Sequence, residues 1–211
     1  MPDIVVVDYG MGNLKSVAKA LEHVAPRLRV AVAGDAATVN QAGRVVFPGQ
    51  GAMPDCIREL TGRGLRDAVI AASRHKPFLG ICIGLQMLFE SSEEGDVAGL
   101  GILPGRVRRF PAAMTDAAGL RLKVPHMGWN QVHQERSHAL WRDIPQDSRF
   151  YFVHSYYAEP ADTSLTLGIS RYPAPFAAAV ARHNIFAVQF HPEKSQAAGL
   201  ALLRNFVAWR P

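Results

Sequence analysis

Short apolar runs separated by helical patterns constrain the fold of the first part of the chain more than any other feature. These runs lie at residues 3–8, 28–33, 43–47 and 77–81. Their length and continuous hydrophobicity are typical of strands buried on both faces. Helical periodicity extends from Asn13, a candidate N-cap, to about Val24 and recurs at 64–73. Strands that alternate with helices predict an α/β fold with a central, mostly parallel sheet flanked by helices.

The pattern changes after about residue 101, where short alternating runs predict antiparallel strands and hairpins. These runs lie at residues 102–110, 120–125, 149–153, 165–170, 176–182 and 185–190. His183-Asn184 is expected to form the tight turn between the last two runs, and 195–209 to form a closing amphipathic helix. We therefore expect an antiparallel extension of the central sheet. The chain shows no repeat or low-complexity linker, so residues 1–211 are interpreted as a single domain.

Composition and charge limit the classes of protein to which this chain can belong. Hydrophobic residues make up 48% of the chain and charged residues 19%, an ordinary globular balance. The first ten residues lack the basic and apolar regions of a signal peptide, and no apolar run approaches the roughly 18 residues of a membrane span. A cytoplasmic location without membrane association is therefore expected. The net charge is +5, but the basic residues are scattered, so no nucleic-acid partner is expected.

A candidate nucleophile stands between an apolar strand and a helical run. Residues 80–84 read Gly-Ile-Cys-Ile-Gly, a nucleophile elbow with Cys82 at its centre. Such a turn holds the nucleophile in a strained backbone conformation, and the flanking glycines remove side chains that would collide there. Cys56 lacks this context and is interpreted as a structural residue. Two cysteines in this setting do not indicate a disulfide framework.

A candidate general base follows the last predicted strand. Residues 191–193 read His-Pro-Glu, and Pro192 favours an extended conformation that would place His191 and Glu193 side by side. Glu193 would orient the imidazole, and His191 would take the proton of Cys82 and later protonate the leaving amine. A surface loop remains the alternative for this tripeptide alone. Together with the elbow it predicts a Cys–His–Glu acyl-transfer site.

An acyl-transfer site also needs donors for the developing oxyanion. The N–H of Ile83 follows the nucleophile, and a second donor is expected at Gln50 in the loop 48–51, Pro-Gly-Gln-Gly. An ordinary turn is the alternative for this loop. Gly10-Met11-Gly12 begins like a dinucleotide fingerprint, but Lys15 stands at the third glycine position. A dinucleotide site is therefore not expected. We expect no cofactor and no metal.

These motifs together resemble the class I (triad) glutamine amidotransferases. More narrowly, the whole chain resembles the glutaminase subunits of imidazole glycerol phosphate synthase, an enzyme of histidine biosynthesis. The narrower resemblance rests on 125–130 (Pro-His-Met-Gly-Trp-Asn) and 151–157 (Tyr-Phe-Val-His-Ser-Tyr-Tyr). The chain departs from the usual family pattern at Ile83, Leu85 and Gln50, where that family commonly has Leu, Met and Val.

The resemblance implies a reaction and a substrate site. Glutamine would form a γ-glutamyl thioester on the cysteine, and water would then release glutamate. Implied contacts to the glutamine substrate lie at Gly49, Gly51, Gln86, Ser155 and Tyr156.

The resemblance also implies a (β/α)8-barrel cyclase subunit as the partner that receives the ammonia. His126, Met127 and Trp129 match the segment that faces this barrel, and an exposed aromatic side chain suits an interface anchor. Local core packing is the alternative for Trp129. The glutaminase of anthranilate or pyridoxal phosphate synthesis fits the triad equally well but does not match this segment. A cysteine hydrolase acting alone and a regulatory subunit with a decayed site are further alternatives.

Overall fold

The computed structural model describes residues 1–116 and 118–211. In the first part of the chain, strands and helices alternate. They are β1 (Ile4–Val7), α1 (Leu14–Val24), β2 (Val30–Ala33), α2 (Ala36–Gln41), β3 (Arg44–Gly49), α3 (Met53–Gly62), α4 (Arg66–His75), β4 (Phe78–Cys82) and α5 (Ile83–Gln86). The alternation that the apolar runs predict is therefore confirmed.

The second part of the chain is dominated by strands. They are β5 (Ser91–Ser92), β6 (Val97–Ala98), β7 (Gly105–Arg109), β8 (His126–Gln131), β9 (His133–Gln134), β10 (Arg149–His154), β11 (Tyr156–Pro160), β12 (Thr166–Arg171), β13 (Pro175–Arg182) and β14 (Ile185–Val188), followed by α6 (Gln196–Ala208). A tight turn containing His183 at φ 52° joins β13 to β14, as predicted.

One sheet of 12 strands organises the molecule, with the order β2-β1-β3-β4-β14-β13-β11-β7-β5-β6 along its main path. The first five strands are parallel, and β13 pairs antiparallel with β14. Strands β8 and β10 form a separate two-stranded antiparallel sheet. The α/β fold with a mostly parallel centre and an antiparallel extension is confirmed.

The centre of the sheet is buried because its strands are almost wholly apolar. All residues of β1, β3, β4 and β14 are buried, while β2 at the edge is partly exposed. Helix α1 turns Val17, Ala18 and Leu21 towards this core, as its periodicity predicts. Asn13 occupies the N-cap position, as predicted, but its side chain makes no capping hydrogen bond.

The sequence interpretation also missed several elements, among them β8 and β11, and misplaced one strand. Helices α2 and α3 were not predicted, and 120–125 is not a strand. Among the described residues, its pairing is limited to a single bridge between Thr115 and Arg121, and the strand lies after it at β8. Strand β8 is hard to recognise because its large apolar residues face outward, which hides the usual relation between hydrophobicity and burial.

Parallel strands bring their carboxyl ends to one edge of the sheet, where ligands bind in open α/β folds. Strands β3, β4 and β14 are adjacent, so the segments that follow them lie next to one another. Cys82 is the last residue of β4, and Gln50 and His191 lie in the segments that follow β3 and β14. Among the described residues, no helix is both long enough and apolar enough to span a bilayer.

Candidate active site

Cys82 ends β4 in a conformation that side-chain-bearing residues rarely adopt. Its φ is 56° and its ψ is −111°, and α5 begins at the next residue. A Cβ atom on Gly84 would lie 1.8 Å from the carbonyl oxygen of Phe47, so only glycine fits behind the turn. The strained elbow that residues 80–84 predict is therefore present. Strain of this kind is often stored at functional sites.

His191 and Glu193 meet directly in the segment after β14. The Nδ1 atom of His191 lies 2.9 Å from Oε1 of Glu193, and the two side chains are only 4% and 1% exposed. Glu193 lies in a 3₁₀ turn, Pro192–Lys194, rather than in extended chain. The predicted contact is thus found, and His191 is extended as predicted, with φ −102° and ψ 98°, but the extended conformation does not continue to Glu193.

Hydrogen bonds to β10 hold this segment in place. The His191 N–H donates to the Tyr151 carbonyl at 2.9 Å. The Ser195 hydroxyl donates to the His191 carbonyl at 2.6 Å and accepts from the Tyr151 N–H at 3.0 Å. The imidazole is therefore attached to a fixed backbone on one side and oriented by Glu193 on the other.

The charge environment favours a protonated His191. Burial alone lowers the pKa of this imidazole, but the neighbouring Cys82 and Glu193 outweigh burial and raise the pKa to about 10. The Nε2 atom has no hydrogen-bond partner among the described residues. An imidazolium beside a cysteine sulfur is the arrangement that produces a reactive thiolate.

The loop after β3 lies against the elbow. Gly49 pairs with Cys82, and Val45 donates to the Pro77 carbonyl. A Cβ atom on Gly49 would lie 2.8 Å from the Ile83 Cβ and 3.1 Å from the Gly84 nitrogen, so only glycine fits where this loop meets the start of α5.

The Gln50 N–H has no hydrogen-bond partner within the described part of the chain. Its nitrogen lies on the side of Gly12, 3.9 Å from where a Cβ of that glycine would be. The Gln50 carbonyl accepts from the Cys56 thiol at 3.6 Å, and the Tyr9 hydroxyl donates to the Pro48 carbonyl at 2.9 Å. These two hydrogen bonds anchor the loop through its Pro48 and Gln50 carbonyls.

Around the implied substrate contacts, Gln86 is the most constrained side chain. It is 1% exposed, and its amide nitrogen donates to the Tyr156 carbonyl at 2.9 Å and to Oε1 of Gln189 at 3.0 Å. Its own Oε1 is buried and unpartnered among the described residues. Ser155 lies next to this group, and its carbonyl accepts from the Phe110 N–H at 3.0 Å. A buried acceptor without a partner suits a substrate that brings a donor.

Gln189 is a site residue that the sequence interpretation missed. Its Nε2 atom donates to the Cys82 sulfur at 3.7 Å while its Oε1 accepts from Gln86. The signal was available, because Gln189 precedes His191 by two residues and such residues share a face of an extended chain.

The residues implied at the partner surface do not all lie on the same face of β8. Met127 is 62% exposed and Trp129 is 42% exposed, and the Trp129 ring packs edge-on against its cross-strand neighbour Tyr151. His126, expected on the same surface, is only 4% exposed, so that expectation is corrected. Alternate residues of β8 point to opposite faces, which places His126 inside and Met127 outside.

The elbow, the oriented imidazole and the adjacent glycine loop define a class of enzyme. The chain belongs to the glutamine amidotransferase class-I family, whose model matches residues 5–209. Within that class, its relatives include HisH chains. It is 69% identical to "Imidazole glycerol phosphate synthase subunit HisH" of Nitrosospira multiformis and 65% identical to the protein of the same name from Aromatoleum aromaticum, each over the full length of both chains.

Solved structures agree on the fold. A crystal structure of a glutamine amidotransferase superposes with a TM-score of 0.72 at 16% identity and covers 97% of each chain. A structure of PurLQS from Thermotoga maritima superposes with a TM-score of 0.71 at 17% identity and covers 98% of each chain. At such identities the likeness concerns the fold alone.

Proposed function

We propose that this chain hydrolyses L-glutamine through Cys82 and passes the ammonia to the (β/α)8 cyclase subunit of imidazole glycerol phosphate synthase. The observation that carries the proposal is the strained Cys82 beside a buried His191 oriented by Glu193. Membership of the glutamine amidotransferase class supports glutamine as the substrate. The names of the full-length relatives support the pathway and argue against anthranilate or pyridoxal phosphate synthesis.

The proposed reaction needs only groups of this chain and water. The Cys82 sulfur attacks the side-chain carbonyl carbon of glutamine and forms a C–S bond while the carbonyl oxygen becomes an oxyanion. His191 donates its Nε2 proton to the amide nitrogen, the C–N bond breaks and ammonia leaves. His191 then takes a proton from water, and the resulting hydroxide attacks the thioester carbon. The C–S bond breaks, which releases glutamate, whose carboxyl proton is lost to solvent, and restores the Cys82 thiolate beside a protonated His191.

The proposed partner surface is the exposed side of β8. Met127 and Trp129 form an apolar area next to Tyr151, whose carbonyl holds the His191 backbone. Docking here would place the cyclase close to the segment that carries the base. A cytoplasmic location belongs to the same proposal, because a nucleophilic thiol is maintained in a reducing compartment.

Glutamate release from glutamine, measured with and without the co-purified cyclase, tests the proposal. We expect weak release by the chain alone and strong stimulation by the cyclase, with no stimulation by the synthase partner of another amidotransferase pathway. Asparagine in place of glutamine and a generic peptide substrate are the controls. Hydrolysis of the peptide, or full glutaminase activity without the cyclase, would favour a hydrolase that acts alone.

A further inference from the structure

A chain of polar groups, half-buried at Asn130 and buried at His126 and His154, connects β8 with the nucleophile. We propose that Asn130, His126 and His154 form a hydrogen-bond relay of fixed direction that positions the Tyr156 carbonyl, and through it Gln86, in the glutamine site. These are positioning residues, because none of them touches the reacting atoms. The inference rests on the proposed function, since it assigns Gln86 to the glutamine site of that reaction.

The direction of the relay is set at Asn130. Its side-chain oxygen accepts from the Gln131 N–H at 2.8 Å, and its amide nitrogen donates to the Arg171 carbonyl at 2.9 Å. These two backbone groups fix which end of the amide is nitrogen. The same nitrogen lies 3.2 Å from Nε2 of His126, so that Nε2 must accept.

The tautomers of both imidazoles then follow. A His126 whose Nε2 accepts carries its hydrogen on Nδ1, and this atom lies 3.0 Å from Nε2 of His154. His154 therefore accepts at Nε2 and carries its hydrogen on Nδ1, which donates to the Tyr156 carbonyl at 2.8 Å. Each imidazole has one donor and one acceptor in use, as a neutral ring allows. Burial keeps both rings neutral, since it lowers the pKa of His126 to about 4 and that of His154 to about 3.

The relay ends on an oxygen that the glutamine site also uses. The Tyr156 carbonyl accepts from His154 and from the Gln86 amide, so both of its lone pairs are occupied. Gln86 in turn donates to Gln189, which donates to the Cys82 sulfur. A shift at Asn130 can therefore reach the nucleophile through contacts of 3.7 Å or less.

The relay also lies under the exposed surface of the same strand. Met127 and Trp129 alternate with His126 and Asn130 along β8, so the two sets share a backbone and differ in the face they occupy. A partner that moves this strand would move the relay with it.

The test is Asn130→Asp, which keeps the shape but replaces the donor that faces His126 with an acceptor. We expect the histidine ¹⁵N spectrum to lose the Nδ1–H tautomer of both His126 and His154. The KM for glutamine should rise about tenfold, the usual scale for a lost buried hydrogen bond, with a smaller change in kcat. Gln131→Glu is the matched control, because it makes the same amide-to-carboxylate change at the next, exposed position.

A double-variant cycle tests whether the relay acts through Gln86. Combined with Gln86→Ala, Asn130→Asp should cost much less than it costs alone, whereas Gln131→Glu should have the same small effect in either background. An Nε2–H tautomer of either histidine in the wild-type protein would overturn the relay, and this measurement does not depend on any variant folding. Unchanged KM in a folded Asn130→Asp protein would do the same. Failure of the wild-type chain to hydrolyse glutamine would instead overturn the proposed function.

Discussion

Oε1 of Glu193 lies 2.9 Å from Nδ1 of His191, in a place where both side chains are almost wholly shielded from water. The contact joins residues two apart across Pro192 and fixes the ring so that Nε2 is the atom available to Cys82. The second carboxylate oxygen of Glu193 has no partner among the described residues. The orientation of the base therefore depends on a single hydrogen bond.

Glu193→Gln should leave the fold intact and slow glutamine hydrolysis by at least tenfold. Loss of the orienting carboxylate costs about 10⁴ in a serine triad, and a cysteine nucleophile, being more acidic, should lose less. Glutamate release in the complex with the cyclase measures the effect, and circular dichroism checks the fold. A rate within about threefold of wild type, small beside such triad losses, would contradict the orienting role.

The protonation of His191 gives a pH prediction. Its pKa is raised to about 10 in the folded chain, above the ordinary value of 6.5. The stability that this proton contributes is therefore complete below about pH 6.5 and is lost as the pH rises through 10. A ¹⁵N titration should find the imidazolium at pH 8. In Glu193→Gln the transition should move to lower pH, because a negative neighbour is removed. A neutral His191 at pH 8 in the wild-type protein would contradict this charge state.

Cys82→Ser should abolish glutamine hydrolysis while the cyclase reaction with added ammonium salt continues. The reason is that only the glutaminase half of the reaction uses the thiol. Both activities are measured in the same purified complex. Cys56→Ser is the matched control, since it changes the other cysteine and should retain hydrolysis. Loss of the ammonium-dependent reaction in an intact complex with Cys82→Ser would contradict the division of labour between the subunits.

The local motifs at Cys82 and His191 made the centre of the site predictable. A Gly-x-Cys-x-Gly turn leaves few backbone solutions, and the residues of each motif are adjacent in sequence. The contacts of Gln189 and His154 were not predicted, because they depend on side chains from separate strands meeting across the sheet edge. The burial of His126 was missed for a related reason, since it requires knowing which face of β8 turns inward.

Trp129→Ala should weaken binding to the cyclase with little effect on the melting temperature of the isolated chain. Its side chain is 42% exposed, and truncation of an aromatic interface anchor commonly costs over about 2 kcal/mol. Titration calorimetry measures the affinity. Val32→Ala is the control, because Val32 is 45% exposed but lies on the edge strand β2, away from β8. Unchanged binding together with a lowered melting temperature would make Trp129 a core residue.

Gln50→Pro should reduce glutamine hydrolysis in the complex and change little in the free chain. Proline removes the backbone N–H that is the proposed second oxyanion donor. In the free chain this N–H has no hydrogen-bond partner among the described residues, and its nitrogen lies 3.9 Å from where a Cβ of Gly12 would be. If docking of the cyclase turns the peptide towards Cys82, the loss should be about 10²–10³ in kcat, the usual cost of a missing oxyanion donor. Gln50→Ala, which keeps the N–H, is the control and should be activated like the wild type.

The rate of Cys82 alkylation distinguishes two explanations of activation by the cyclase. In the loop mechanism the Gln50 peptide turns and completes the oxyanion hole, whereas in the other mechanism docking realigns the triad. A small alkylating agent reacts with the sulfur and needs no oxyanion hole, so under the loop mechanism Gln50→Pro and wild type should be alkylated equally fast in the complex. Cys82 is only 4% exposed, so docking can also change access to the sulfur. Comparing the two proteins within the same complex cancels that effect. Equal losses of hydrolysis and alkylation in Gln50→Pro would mean that the loop acts on the triad itself. If Gln50→Pro loses hydrolysis but is alkylated as fast as the wild type, the loop acts by stabilising the oxyanion. By linkage, a glutamine analogue that favours the turned peptide should then tighten cyclase binding.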